Sequence, residues 1–270
     1  MEHALYLSRT DHTNDLEDKY TRVYFGAEFC QNLIPTAKEL GSVLDLCEER
    51  KLDLTLLTPY VTDAGLDMLE PLFALMVARR PGSEVVINDW GTLRMINDRF
   101  DALVPVFGRL ITRQKRGPRL SLLKGKVPDA MVDHFRRLGI TVPIVRRFLS
   151  ERRIGRIELD WPLQGLDVNL DFPDVKLSGT LYEPWVYVTT TRLCLTNACD
   201  QPEKVDRVGI FPCGRECETY TFRLTHPTVP VELRLKGNTQ FYYNKDVPSE
   251  TELEAMGIDR LVFEPEVPGG

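Results

Sequence analysis

Short runs of β-branched and aliphatic residues recur along this chain, and stretches of helical periodicity separate several of them. That alternation is its strongest constraint on fold. The runs are Arg22 to Ala27, Asp53 to Thr58, Glu84 to Asp89, Pro105 to Ile111, Arg153 to Asp160, Pro184 to Thr189, Arg207 to Phe211 and Arg260 to Phe263. Strand-then-helix order implies parallel strands joined by crossover helices. About eight strands over 270 residues predicts an α/β chain folded as a (β/α) barrel rather than an open sheet.

The helical segments are amphipathic. Pro35 suits a first helical turn, after which Leu40, Val43, Leu44 and Cys47 share one face, so Cys47 reads as core. Asp63 is a candidate N-cap for a helix with Leu66, Leu69, Phe73 and Met76 on its buried stripe; a third begins near Asp129 with Met131, His134, Phe135 and Leu138 close together. Between residues 218 and 244 the alternation breaks into three short strands with Pro and Lys-Gly-Asn turns. The expected organisation is a barrel-like domain over 1–217 and 245–270 with a small antiparallel unit at 218–244. Ser249 and Glu252 form a capping-box pattern before the last strand.

Net charge is −6 and the isoelectric point about 5.4, which disfavours nucleic acid or an anionic membrane as partner. No apolar run is long enough to span a bilayer, and the N-terminus lacks a signal-peptide pattern, so a cytoplasmic location is expected. In a reducing compartment, six cysteines read as metal ligands, reactive thiols or core residues rather than disulfides.

Four of them carry the functional expectation. Cys30 follows the first clear predicted strand, Cys194 the strand at 184–189, and Cys213 the strand at 207–211, while Cys213-Gly214-Arg215-Glu216-Cys217 is a tight turn offering two sulfurs. Functional groups of a (β/α) barrel gather beyond the C-terminal ends of its strands. Four thiolates suit zinc or an iron-sulfur cluster. One C-x3-C pair with two remote cysteines departs from the paired knuckles of structural zinc, which favours the cluster. Cys199, five residues after Cys194, competes with it as third ligand, and ordinary core packing of all six cysteines is the competing reading.

Gly26-Ala27-Glu28-Phe29-Cys30, followed far downstream by Cys194 and by Cys213-x3-Cys217, resembles the collagenase-like peptidase family in the branch of the ubiquinone-biosynthesis proteins UbiU and UbiV. The resemblance spans most of the chain. It implies a barrel-like fold, a 4Fe-4S cluster on Cys30, Cys194, Cys213 and Cys217, and oxygen-independent hydroxylation of an aromatic or isoprenoid-quinone precursor. It also implies a heteromeric partner of the same family; other members hydroxylate RNA, and some were first described as proteases. Cys47 and Cys199 depart from the pattern.

Other groups at predicted strand ends could shape a pocket for a small aromatic substrate: Tyr60, Asp89 and Glu158 as catalytic candidates, with Arg109, Trp90 and Asp160 as substrate-binding ones. Arg109 could fork onto a substrate carboxylate, though acids at such positions equally cap helices. Two basic runs, Arg109 to Arg119 and Arg146 to Arg156, read mainly as solvated faces. No zincin, serine-hydrolase or nucleotide-binding motif is present. A cysteine peptidase pairing Cys199 with His226, and a non-catalytic subunit stabilised by its metal, are the alternatives to the cluster enzyme.

Overall fold

The computed structural model of the chain describes residues 1–9, 15–197, 199–201 and 212–269. In chain order its strands begin with β1 (Glu2–Leu7), β2 (Arg22–Gly26), β3 (Asp53–Leu57), β4 (Glu84–Ile87), β5 (Val104–Phe107) and β6 (Arg156–Asp160). A small hairpin, β7 (Asp171–Phe172) and β8 (Val175–Lys176), precedes β9 (Ser178–Glu183) and β10 (Trp185–Thr190). Then come β11 (Thr221–Leu224), β12 (Leu233–Lys236), β13 (Thr239–Tyr243) and β14 (Ile258–Phe263). The helices are α1 (Ala37–Arg50), α2 (Asp63–Arg79), α3 (Trp90–Arg99), α4 (Asp129–Arg136), α5 (Pro143–Glu151) and α6 (Glu250–Ala255).

Eight strands close a parallel barrel in the order β1-β14-β9-β6-β5-β4-β3-β2, as the alternation predicts. A strand alternates its side chains between two faces, and here the faces are the helical shell and the barrel interior. Leu5 and Leu7, Val23 and Phe25, Leu54 and Leu56, Val85 and Ile87 belong to the outer core with the helices. Ala4, Tyr6, Tyr24, Leu57, Val86, Val106, Tyr182 and Val262 fill the interior. Leu40, Val43, Leu44 and Cys47 are buried on α1 as expected. Pro35 stands outside that helix, because the Thr36–Glu39 capping box starts it one residue later. Thr62, not Asp63, is the N-cap residue of α2. The face of α4 is not core: it has no buried residue, and Met131 is exposed.

Two barrel strands differ from those predicted. β1 and β9 complete the cylinder, while the segment expected as a barrel strand at 184–189 is β10, which pairs antiparallel with β13. Gly179 and the Glu183-Pro184 junction obscure β9 in the sequence, since glycine and proline are poor strand signals. The predicted strand at 207–211 lies outside the described residues. The antiparallel sheet runs β10-β13-β12-β11, so Trp185–Thr190 joins the three strands expected at 218–244. This sheet packs over the C-terminal end of the barrel: Phe29, just past β2, meets Tyr187 of β10 at 5.3 Å and Phe241 of β13 at 5.2 Å between ring centroids. The Ser249–Glu252 capping box opens α6.

Gly26 ends β2 at φ +127, where an added Cβ would stand 2.4 Å from the Leu57 carbonyl oxygen of the neighbouring strand. Gly26→Ala therefore combines backbone strain with a backbone clash, and is expected to cost about 2–4 kcal/mol, read as a lowered urea midpoint without a change of slope.

Candidate metal centre and buried ion network

Cys30, Cys194, Cys213 and Cys217 line one cavity, together with Arg192, Asn197, Glu216 and Asn238. Its free volume is about 70 Å³, several times the ~10–15 Å³ that one water-sized sphere occupies. Cys194 lines it and Cys199 does not, which separates the two competing thiols. All six cysteines are free, and Cys47 is buried on α1. The thiols stand around a space rather than meeting at a point: among the described residues no three His, Cys, Asp or Glu side chains converge as a single-ion site.

Three segments are stitched to bring them there. Cys30 precedes a short 3-10 turn after β2. Arg215 donates from Nη2 to the Asn32 carbonyl at 3.2 Å, tying the Cys213–Cys217 turn to the Cys30 loop. Asn197 donates from Nδ2 to the Pro212 carbonyl at 3.1 Å, tying the Cys194 segment to the same turn. Asn238, in the β12–β13 turn, donates from Nδ2 to the Phe29 carbonyl at 2.8 Å and to the Thr191 carbonyl at 2.8 Å. Beside it Gly237, at φ +61, brings backbone close to Cys217, with room for a Cβ only 3.5 Å from that residue's own. The expectation that Cys194 follows a barrel strand is thus corrected. Cys30 does, but Cys194 follows β10 of the antiparallel sheet, and the strand expected before Cys213 lies outside the described residues.

Burial pushes the Cys217 thiol up to about 12, with the neighbouring Cys194, Cys30 and Cys213 adding to the shift. Burial also raises Cys30, against the opposing pull of the Asn32 and Leu33 backbone N–H groups. Four thiolates cannot share this space without a compensating cation. Thiolates are the donors that soft metals select, so this set could hold one, and N–H groups like those at Cys30 tune a sulfur when it is metal-bound.

The second buried site is ionic. Arg109, past the end of β5, is wholly buried. It donates from Nε to Glu28 Oε1 at 3.0 Å, from Nη1 to Asp160 Oδ1 at 3.0 Å, and from Nη2 to Glu264 Oε1 at 2.8 Å. Its guanidinium lies 3.6 Å from the Tyr182 ring centroid. Arg116 adds a bond from Nε to Asp160 Oδ2. The fork expected to grip a substrate carboxylate is therefore filled by the protein's own carboxylates. Glu28 and Glu264 were not singled out from sequence. Their signal was position: each follows a barrel strand, β2 and β14. Three carboxylates face two guanidiniums here, and burial, against the opposing pull of Arg109, pushes Glu264 well above the usual carboxylate range.

The remaining candidates separate. Asp89 is the N-cap of α3, accepting from the Gly91 N–H at 2.7 Å and the Thr92 N–H at 3.3 Å. Trp90 is exposed on the barrel flank. Tyr60 backs two residues that line the cysteine cavity, its hydroxyl accepting from Asn238 Nδ2 at 3.3 Å and its ring 5.8 Å from Arg192. Glu158 is enclosed within the barrel, where Tyr24 donates to its Oε1 at 3.2 Å. His226 is exposed and engaged with Thr228, with Nδ1 3.0 Å from that hydroxyl. Of the basic runs, Arg146 pairs with Asp174 and Arg156 with Asp259.

No family model matches the chain, and no curated protein matches it. Among solved structures it is similar to the U32 peptidase Mk0906, at 12% identity over 100% of this chain and 94% of that one, with a TM-score of 0.48. It is also similar to a glycoside hydrolase family 18 N-acetylglucosaminidase from Paenibacillus barengoltzii, at 11% identity over 97% and 94% of the two chains, with a TM-score of 0.38. Human YKL-39, described as a pseudo-chitinase, gives 11% identity over 97% and 91%, with a TM-score of 0.35. Likenesses this distant carry no argument about chemistry.

Two outcomes follow from the ion network. Arg109→Met leaves buried carboxylates without their cation and is expected to cost about 3–5 kcal/mol, measured by chemical denaturation. Burial raises Glu158 from 4.5 to about 8, against the opposing pull of Arg260 and Arg156. A carboxyl raised in the folded state holds a proton that the unfolded chain releases, so its contribution to stability is full below 4.5 and is lost as pH rises to about 8. Glu158→Gln should flatten that decline in stability between pH 4.5 and 8.

Proposed function

We propose that this chain is an iron-sulfur protein, with Cys30, Cys194, Cys213 and Cys217 as ligands of a 4Fe-4S cluster. The observation that carries the reading is that four thiols, from three remote segments, surround one cavity. A cluster needs thiolates spread around a cage of irons, whereas zinc draws four ligands onto one ion about 2.3 Å away. The cavity that these thiols help to line, about 70 Å³, is several times the space of one water-sized sphere, which suits the former. Together with the motif resemblance to the collagenase-like peptidase family and its UbiU and UbiV branch, this supports a role in oxygen-independent hydroxylation of an aromatic or isoprenoid-quinone precursor. When bound, the cluster would supply one-electron chemistry. Arg192 is placed to border it, with Tyr60 behind.

Within that role, the filled barrel mouth favours the cluster-bearing subunit over a self-contained catalyst. Arg109 and its carboxylates occupy the position where barrel enzymes keep an open site, and Phe29, Tyr187 and Phe241 pack beside it. The catalytic partner would be a second protein of the same family. A peptidase reading gains nothing from His226, which is engaged with Thr228.

Anaerobic purification followed by iron, sulfide and zinc analysis tests the proposal. About four iron and four sulfide per chain are expected, lost in Cys30→Ala and in Cys217→Ala but retained in Cys47→Ala and Cys199→Ala. Stoichiometric zinc without sulfide, or loss of iron in Cys199→Ala with retention in Cys194→Ala, would overturn the assignment. If the cluster is structural, each ligand variant should also lower the thermal midpoint.

A further inference from the structure

A second hollow, far larger than the cysteine cavity, opens on the flank of the barrel beside α3 and α5. Its volume is about 970 Å³, within the ~300–1,000 Å³ of small-molecule sites. The thinnest seam of the cylinder lies alongside it: β5 and β6 pair at the single position Phe107↔Ile157. In the connection between those strands α4 has no buried residue and α5 buries only Leu149, while Leu138 and Ile140 between them are buried and Ile140 floors the hollow. Trp90, Phe107 and Phe148 form an aromatic wall, with Phe107 and Phe148 at 6.0 and 5.5 Å from the Trp90 centroid. Val142 and Ile144 line the hollow while 48% and 56% exposed.

The polar groups on this lining are mainly donors in need of an acceptor. Asn97 Nδ2 is buried and makes no hydrogen bond, although its Oδ1 accepts from Arg153 at 3.3 Å. Arg113 and Arg152 line the hollow with no acidic partner among the described residues. The Arg152 guanidinium lies over the Phe148 ring, at 5.7 Å. Their neighbour Arg94 is different, being paired with Asp98 at 3.3 Å. An apolar basin edged by two uncompensated guanidiniums and one unsatisfied amide is complementary to an anion on an apolar body.

We propose that this hollow binds a monomeric amphipathic carboxylate, with its chain on the Trp90–Phe107–Phe148 wall and its carboxylate at Arg113 and Arg152. The hollow shares no residue with the cysteine cavity, so the assignment stands independently of the cluster. Concavity and volume favour a small amphiphile over a protein surface, which would need a broad contact.

The test is titration of the full chain with dodecanoate, below its micellar concentration, read by tryptophan fluorescence and calorimetry, with methyl dodecanoate as the uncharged control. One dodecanoate per chain is expected to bind saturably, at least tenfold more tightly than the ester, and the fluorescence change should vanish in Trp90→Phe. The exposed pair Arg113→Gln and Arg152→Gln should lower dodecanoate affinity to that of the ester while leaving affinity for the ester, which reports the apolar wall beside Phe148, unchanged. Ile144→Asp should weaken the acid further than the ester. Absence of saturable binding, equal affinity for acid and ester, or indifference to both arginine substitutions would overturn the proposal. So would a wild-type dimer that Ile144→Asp dissociates and dodecanoate leaves intact, which would assign this face to a second copy of the chain.

Discussion

The buried guanidinium of Arg109 is the group on which the rest of this molecule depends. It joins the loop after β2 through Glu28, the end of β6 through Asp160 and the residue after β14 through Glu264, while itself following β5. Four strand ends around the closed cylinder are thereby held by one side chain. A buried ion cluster of this kind gives little net stability over an apolar filling, but it is intolerant of losing one member. Its value lies in position: Glu28 and Cys30 flank Phe29, whose ring lies 5.4 Å from the Arg109 guanidinium. The placement of the first thiol is set by the ionic centre of the barrel.

The antiparallel sheet supplies the other half of the centre. Its β12–β13 turn places Asn238 where one amide group reaches both the Phe29 carbonyl and the Thr191 carbonyl. Sheet and barrel therefore meet at the cysteine cavity through directional bonds, and the thiols from the β10–β11 connection are presented to the one from the barrel. A barrel that would ordinarily leave its mouth open has instead filled it with charge and aromatic rings, and moved its reactive side chains to the edge.

Much of this was legible in the sequence, and what was not has identifiable causes. Alternating runs such as Asp53–Leu57 and Glu84–Ile87 announced parallel strands, because Leu54, Leu56, Val85 and Ile87 face helices while their neighbours face the interior. The four thiols were visible as a set, and Cys47 fell on the core stripe of α1. β9 escaped because Ser178, Gly179 and Thr180 give a weak strand signal, and β10 beside it looked more like a barrel strand than it is. Arg109 was noticed but assigned outward. A sequence shows an arginine after a strand; it does not show that carboxylates from remote segments converge on it. Asp89 shows the converse, an acid at a strand end whose bonds are spent on the first turn of α3.

The separation of the thiols along the chain has a consequence for how the molecule is made. Cys30 follows the second strand, and its companions arrive only after the tenth, so the cavity cannot exist on a nascent chain until most of the polypeptide has left the ribosome. Before that point Cys30 is the one thiol of the set on the chain. If the cavity holds the proposed cluster, its maturation is in this sense a late event, because the four ligands come together only in the folded chain and not in a linear cysteine motif.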